Sequence, residues 1–295
     1  MLVRTEPLPA DTLTFDHMYM RINGRDGEAQ GDGAASSSAA SATSQGTEPH
    51  VDLIVGDPDV RYPLASVTKP IGAYAVLVAI DQGKFGLDDA AGPEGSTVRH
   101  LLAHTSGMPF FEGEPIAKPG KRRVYSNSGF DVLAEFAEAK VGMPIHEWIA
   151  QAVAGPLGMD DFSLAPGASM AAKGVASGEA LARFAMELLE PKLISRELYD
   201  EAISVQFPGL AGVLPGYGRQ ADNDWGLGFS IRGHKDPHWL GSTFSPRTFG
   251  HFGQSGSFIW VDPEAKLAGI FLGAQRYGEE HQQVWPKLTD EMRAL

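Results

Sequence analysis

The ten residues from Ile71 to Ile80 carry no charged side chain. A run this short cannot cross a bilayer, which takes about 20 apolar residues in a helix. The rest of the chain must therefore bury it. Ser66-Val67-Thr68-Lys69-Pro70 stands directly ahead of the run and Gly83 closes it. Proline is tolerated in a first helical turn and glycine ends helices, so a helix over 66–82 is expected. Residues at i and i+3 share a helical face, which lays the Lys69 amine beside the Ser66 oxygen. A serine hydroxyl needs a neighbouring base to become a nucleophile. A desolvated lysine loses part of its preference for the charged form. Unpaired N–H groups at the helix N-terminus favour negative charge developing at Ser66. The pattern reads as a serine nucleophile with its base.

Two further segments follow in order. Tyr125-Ser126-Asn127 lies in a turn-rich stretch ahead of a helical pattern, and His251-Phe252-Gly253 lies just before the strand-like Phe258-Ile259-Trp260-Val261. With Ser66-x-x-Lys69 they make the chain resemble the serine β-lactamase-like and penicillin-binding-protein-like hydrolases, in the branch of class C β-lactamases, carboxylesterases and D-alanyl-D-alanine carboxypeptidases. The likeness also covers Arg99-His100-Leu101-Leu102-Ala103-His104-Thr105-Ser106-Gly107, Pro156-Leu157-Gly158-Met159, Gly174-Val175-Ala176-Ser177 and Trp225-Gly226-Leu227-Gly228-Phe229.

That resemblance implies an α/β (α+β) fold, an antiparallel sheet flanked by helices and built from both chain ends. Residues 1–75 and 222–295 would form the α/β domain, and 76–221 an inserted, mostly helical domain with the site in the cleft. It implies that Lys69 and Tyr125 share proton transfer around Ser66; which of them is the base stays open. Asn127 offers an amide that can orient Lys69 and a substrate carbonyl. The backbone N–H groups of Ser66 and Gln254 would hold the oxyanion, with Gly253 letting the strand edge pass close to substrate. His251 occupies the place where many relatives carry the lysine of Lys-Thr-Gly, and Phe252 replaces the threonine. The hydroxyl that helps grip a substrate carboxylate is therefore missing. An unperturbed histidine is largely neutral at pH 7.

These residues point to a cofactor-free serine hydrolase acting through an acyl-enzyme on a small ester or amide. A carboxylesterase is the first expectation. A D-amino-acid peptidase or weak β-lactamase is the second, and a non-catalytic binding protein on the same scaffold the third. Net charge is −13, which disfavours nucleic acid as a partner. Without cysteine there is no disulfide, thiolate metal site or cysteine nucleophile. His100 and His104, spaced i and i+4, lack the glutamate of His-Glu-x-x-His and a third ligand, and no nucleotide-binding glycine motif occurs. The first twenty residues show no apolar h-region, so a cytoplasmic, non-membrane protein is expected.

Residues 24–50, rich in Gly, Ser and Ala, read as a mobile loop between strands at 14–22 and 51–55. Helices are expected at 97–104, 130–141, 145–154, 177–190 and 195–204, with Thr97 and Ser177 as caps and Gly142 as a stop. Strands are expected at 226–232, 257–261 and 267–273, then a closing helix over 279–295.

Overall fold

The structure, a computed structural model, describes residues 9–24 and 48–295. The expectation for residues 24–50 lies almost wholly outside these. In chain order, β1 (His17–Asn23), β2 (His50–Val55) and β3 (Arg61–Pro63) precede a single 3-10 turn, Ala65–Val67, which runs into α1 (Thr68–Asp81). α2 (Val98–Leu102), α3 (Asn127–Val141) and α4 (Ile145–Ile149) follow, and α4 continues through a wider π-helical turn into α5 (Gly155–Leu157). Next come β4 (Val175–Ser177), α6 (Gly178–Leu189), α7 (Arg196–Ala202), β5 (Gly212–Leu214) and β6 (Gly218–Gln220). The chain closes with β7 (Ser230–Ile231), β8 (Phe249–Gly253), β9 (Ser257–Asp262), β10 (Leu267–Gly273) and α8 (Glu279–Ala294).

Six strands form one antiparallel sheet in the order β2-β1-β10-β9-β8-β7, so strands from both ends of the chain meet at the β1–β10 pair. Successive side chains alternate between faces, and here both faces are covered. Met18, Met20, Ile22, Ile259, Val261, Ile270 and Leu272 join a core with α1 and α6. Tyr19, Phe258, Trp260 and Phe271 pack instead with Trp285, Leu288 and Met292 of α8. Arg21 ties the layers together: it forks onto Asp52 at 2.8 Å through two nitrogens and donates to the Met292 carbonyl at 3.1 Å.

α1 is buried on all sides from Thr68 to Ala79, as its uncharged run requires. It lies between β8 and the helices α3 and α4, and Trp148 donates its indole N–H to the Ala75 carbonyl at 2.8 Å. The caps read from sequence are in place. Ser177 Oγ accepts the Ala180 N–H at 3.2 Å, and Gly142 ends α3 at φ 77°. The strand expected at 226–232 shrinks to Ser230–Ile231, because Gly226 N–H bonds to Phe229 O and Gly228 sits at φ 91° in a tight turn. α6 packs on β1, β9 and β10, so a helix from the 76–221 segment covers the sheet itself. Among the described residues no helix is long and apolar enough to cross a membrane.

Candidate active site

Ser66 sits in the 3-10 turn that leads into α1, so its N–H belongs to a helix start with no intrahelical acceptor. Lys69, one turn on, is completely buried. Its Nζ lies 3.3 Å from Ser66 Oγ, 2.6 Å from Asn127 Oδ1 and 2.7 Å from the Ala171 carbonyl. Asn127 opens α3, whose cap Ser126 accepts the Gly129 N–H at 2.7 Å, so the helix start fixes where the amide points. Burial lowers the Lys69 ammonium from its ordinary 10.5 to about 7, against a smaller opposing pull from Asp131. The Ala171 carbonyl could not have been read from sequence, since any residue offers one.

Tyr125 shares the cavity with Ser66, close enough for Ser66 to favour the phenolate, and its ring lies under the Lys69 ammonium at 4.7 Å. Burial raises the phenol well above its ordinary 10, and the nearby Ser66 hydroxyl opposes this only in part. At neutral pH Tyr125 is a phenol. His251 Nδ1 lies 2.6 Å from its neighbour's carbonyl, Phe252 O, which assigns the proton to Nδ1 and leaves Nε2 as an acceptor, 3.5 Å from the Tyr125 hydroxyl. Burial, with the Lys69 charge adding to it, lowers His251 to about 3, so the ring is neutral at pH 7.

His251-Phe252-Gly253 lies on β8, paired with β9 and reached by β7 only at Phe249 and Gly250, so Gly253 stands at a strand edge as the resemblance implies, although no local pattern marks a strand over 249–253. Glycine is needed there for close approach. A Cβ on Gly253 would stand 2.3 Å from the Leu64 carbonyl and 3.2 Å from Ala65 Cβ, so β8 ends against the segment that carries Ser66. Gln254 follows directly. Its side chain donates to the Tyr277 carbonyl at 3.3 Å. Phe252 turns away from a polar role and packs with Tyr277 and Trp285 at 4.9 and 6.0 Å between ring centroids.

The proposed residues thus converge: Ser66, Tyr125, His251 and Gln254 line one cavity of about 230 Å³. Its other walls include Phe110, Leu214, Trp225, Ser230 and Trp239, which no local sequence pattern marks as site residues. His104 stands i+4 from His100, a spacing that could suit a metal-ligand pair. The structure separates the two. His100 Nδ1 meets Thr97 Oγ1 at 2.9 Å, whereas His104 Nδ1 accepts the Ser126 N–H at 3.2 Å. The buried His104 ring packs tilted against Tyr125 at 4.7 Å and edge-on against Trp225 at 4.5 Å, and so braces the phenol. Burial holds it neutral.

The sequence profile of the Beta-lactamase family matches residues 28–291. The chain belongs to the Beta-lactamase family. It is similar to the crystal structure of a beta-lactamase from Mycobacterium bovis, with 43% identity, 95% of both chains covered and a TM-score of 0.85. A beta-lactamase/D-alanine carboxypeptidase from Yersinia pestis shares the fold at 16% identity, covering 96% of this chain and 95% of that one, with a TM-score of 0.69. The hydrolase EstCE1, described as having promiscuous acyltransferase activity, does so at 16% identity, 94% and 93% coverage and a TM-score of 0.67. Penicillin-binding protein 4* of Bacillus subtilis is 27% identical over 133 residues, which span 34% of this chain and only 30% of that protein. The Beta-lactamase family is a family of serine hydrolases.

Proposed function

We propose that the protein is a carboxylesterase that works through an acyl-enzyme on Ser66. The observation that carries this reading is one cavity-lining hydroxyl flanked by a buried amine at 3.3 Å and by a half-buried phenol on the same cavity. An amine drawn to about 7 is partly free base at neutral pH and can take the Ser66 proton. Ser66 Oγ then bonds to the substrate carbonyl carbon, and the carbonyl electron pair moves onto oxygen. Ser66 N–H and Gln254 N–H hold that oxyanion. As the tetrahedral species collapses, Tyr125 gives its proton to the departing alkoxide and recovers one from the Lys69 ammonium. Water then attacks the acyl-enzyme by the same route in reverse. Every step is carried by the chain's own groups.

The third motif favours esters over penicillins or D-Ala-D-Ala ends. His251 is neutral and Phe252 offers no hydroxyl, so that strand supplies neither a charge nor an O–H for a substrate carboxylate. A fluorophosphonate probe should label the protein at Ser66, and Ser66→Ala should lose labelling and hydrolysis of p-nitrophenyl acetate together. Compared in parallel, short p-nitrophenyl esters should turn over faster than nitrocefin or D-Ala-D-Ala peptides. Faster peptide turnover would reverse the preference. An unlabelled Ser66 with unchanged hydrolysis in Ser66→Ala would leave the binding-protein reading in its place.

A further inference from the structure

A second depression, a groove of about 810 Å³, opens beside the catalytic cavity and shares Phe110, Tyr125 and Pro215 with it. Two stretches of chain frame this groove. Arg123 N–H donates to the Ala211 carbonyl at 3.3 Å, which lays residues 121–125 beside the β5–β6 hairpin. Within that hairpin Val213 pairs directly with Arg219, so their side chains share one face. Both are exposed and both line the groove.

The charge of the groove is one-sided. Lys121, Arg122 and Arg219 line it and are exposed, and no Asp or Glu lines it, in a chain with 37 acidic and 24 basic residues. A fourth basic lining residue, Arg123, is buried and taken up by carbonyls. The other three make no side-chain hydrogen bond or ion pair among the described residues. Glu112 and Glu114, on the loop that carries Phe110, are exposed but lie outside the lining. Phe110, Ile116 and Val213 add exposed apolar surface to the same groove. Apolar side chains exposed together mark a binding surface, and the cations among them set the sign of what binds. Guanidinium forks and an ammonium are groups that recognise phosphate.

The acyl-transfer chemistry decides which part of an ester arrives there. Tyr125 protonates the departing alkoxide, and Tyr125 is a wall common to both spaces. The acyl group stays on Ser66 in the smaller cavity, of about 230 Å³, where His251 is neutral. We propose that the groove is a leaving-group subsite for an alcohol that carries a phosphate. Lys121, Arg122 and Arg219 hold the phosphate, and Phe110, Ile116 and Val213 lie against the carbon chain. The preferred substrates are then short-acyl esters of phosphorylated alcohols, a class that deepens the carboxylesterase reading and rests on it. In the reaction the acyl carbon–oxygen bond breaks, the acyl group passes to Ser66 Oγ, and the phosphorylated alcohol departs with the Tyr125 proton.

The test compares ω-acetoxyalkyl phosphates of four, six and eight carbons with alkyl acetates of equal chain length, by released acetate. At least one phosphate should exceed its neutral partner tenfold in kcat/KM, through KM. A triple variant, Lys121→Ala with Arg122→Ala and Arg219→Ala, should bring that ratio below threefold. Lys118→Ala, which removes an exposed cation outside the lining, should keep it. No preference in the wild type, or a ratio that survives the triple variant, overturns the subsite. Reversed esters, with the phosphate on the acyl side and methanol as the leaving group, should gain nothing over methyl alkanoates. An equal gain there overturns the leaving-group assignment. A second readout does not need turnover. Ser66→Ala protein, titrated calorimetrically, should bind hexanediol monophosphate at least tenfold more tightly than hexanediol, and the triple variant in that background should lose the difference. Equal binding overturns the subsite even if ester hydrolysis is established; selective binding without hydrolysis upholds it and removes only the esterase.

Discussion

Lys69 is fully buried and Tyr125 half-buried, and desolvation moves them in opposite chemical directions. Desolvation disfavours whichever form is charged, so it turns the ammonium toward a free amine and holds the tyrosine as a neutral phenol. A base is wanted before attack and an acid after it, and the pair supplies both. With Lys69 near 7, kcat/KM for a neutral ester should rise as pH climbs from 5.5 to 8.5, because deprotonation creates the base. His251, near 3, contributes no limb in that window. A profile that is flat across it would contradict a lysine base. Lys69→Ala and Tyr125→Phe should each lower kcat more than a hundredfold, the usual range for lost acid–base groups. Stopped assays against p-nitrophenyl acetate, with labelling of Ser66 as a control, would check both.

β8 shows where local sequence signals run out. Ser66 and Lys69 were legible because i, i+3 spacing sets them on one helix face, whereas Tyr125 and Asn127 were legible through the family resemblance. The uncharged run of α1, the caps Ser177 and Gly142, and the strands β9 and β10 were legible for similar local reasons. β8 was not, because Gly250 and Gly253 are there for neighbours distant in sequence: a Cβ on Gly250 would stand 2.1 Å from Ile259 O and 2.8 Å from Trp260 Cα. Nothing local marks a glycine required by the next strand. The same holds for Trp239 and Ser230, whose place in the cavity depends on the tertiary fold. Gly250→Ala should force β8 and β9 apart and cost about 3 kcal/mol in urea unfolding, as overpacking against backbone does. Gly209→Ala, with nothing within 4 Å but φ 77°, separates the two effects, since it carries backbone strain without the clash. Equal losses in the two variants would mean that β8 tolerates the methyl group.

The cavity is assembled from segments that the sheet alone does not hold, and one buried side chain ties several of them. Arg123 donates to the carbonyls of Ala103 at 2.6 Å, Asn223 at 2.9 Å, Gln206 at 2.7 Å and Phe207 at 3.1 Å. It thereby joins the end of α2, the loop after α7 and the approach to Trp225. Tyr125 stands two residues beyond Arg123, and Trp225 two beyond Asn223. The clamp therefore fixes the spacing of two cavity walls as well as the packing of the loops. Burial lowers the guanidinium only to about 10, so it stays charged at any pH where the fold is used. Arg123→Met keeps much of the volume but strands four carbonyls, and should cost about 3 kcal/mol. For a chain of 295 residues that is a fall in Tm of roughly 5 °C. If the clamp also sets the walls, kcat/KM should drop at least tenfold at a temperature where the variant is still folded by circular dichroism. Loss of stability with wild-type kcat/KM would make Arg123 a brace for the loops alone, leaving the aromatic contacts of His104 and Trp225 to hold Tyr125 in line with Ser66.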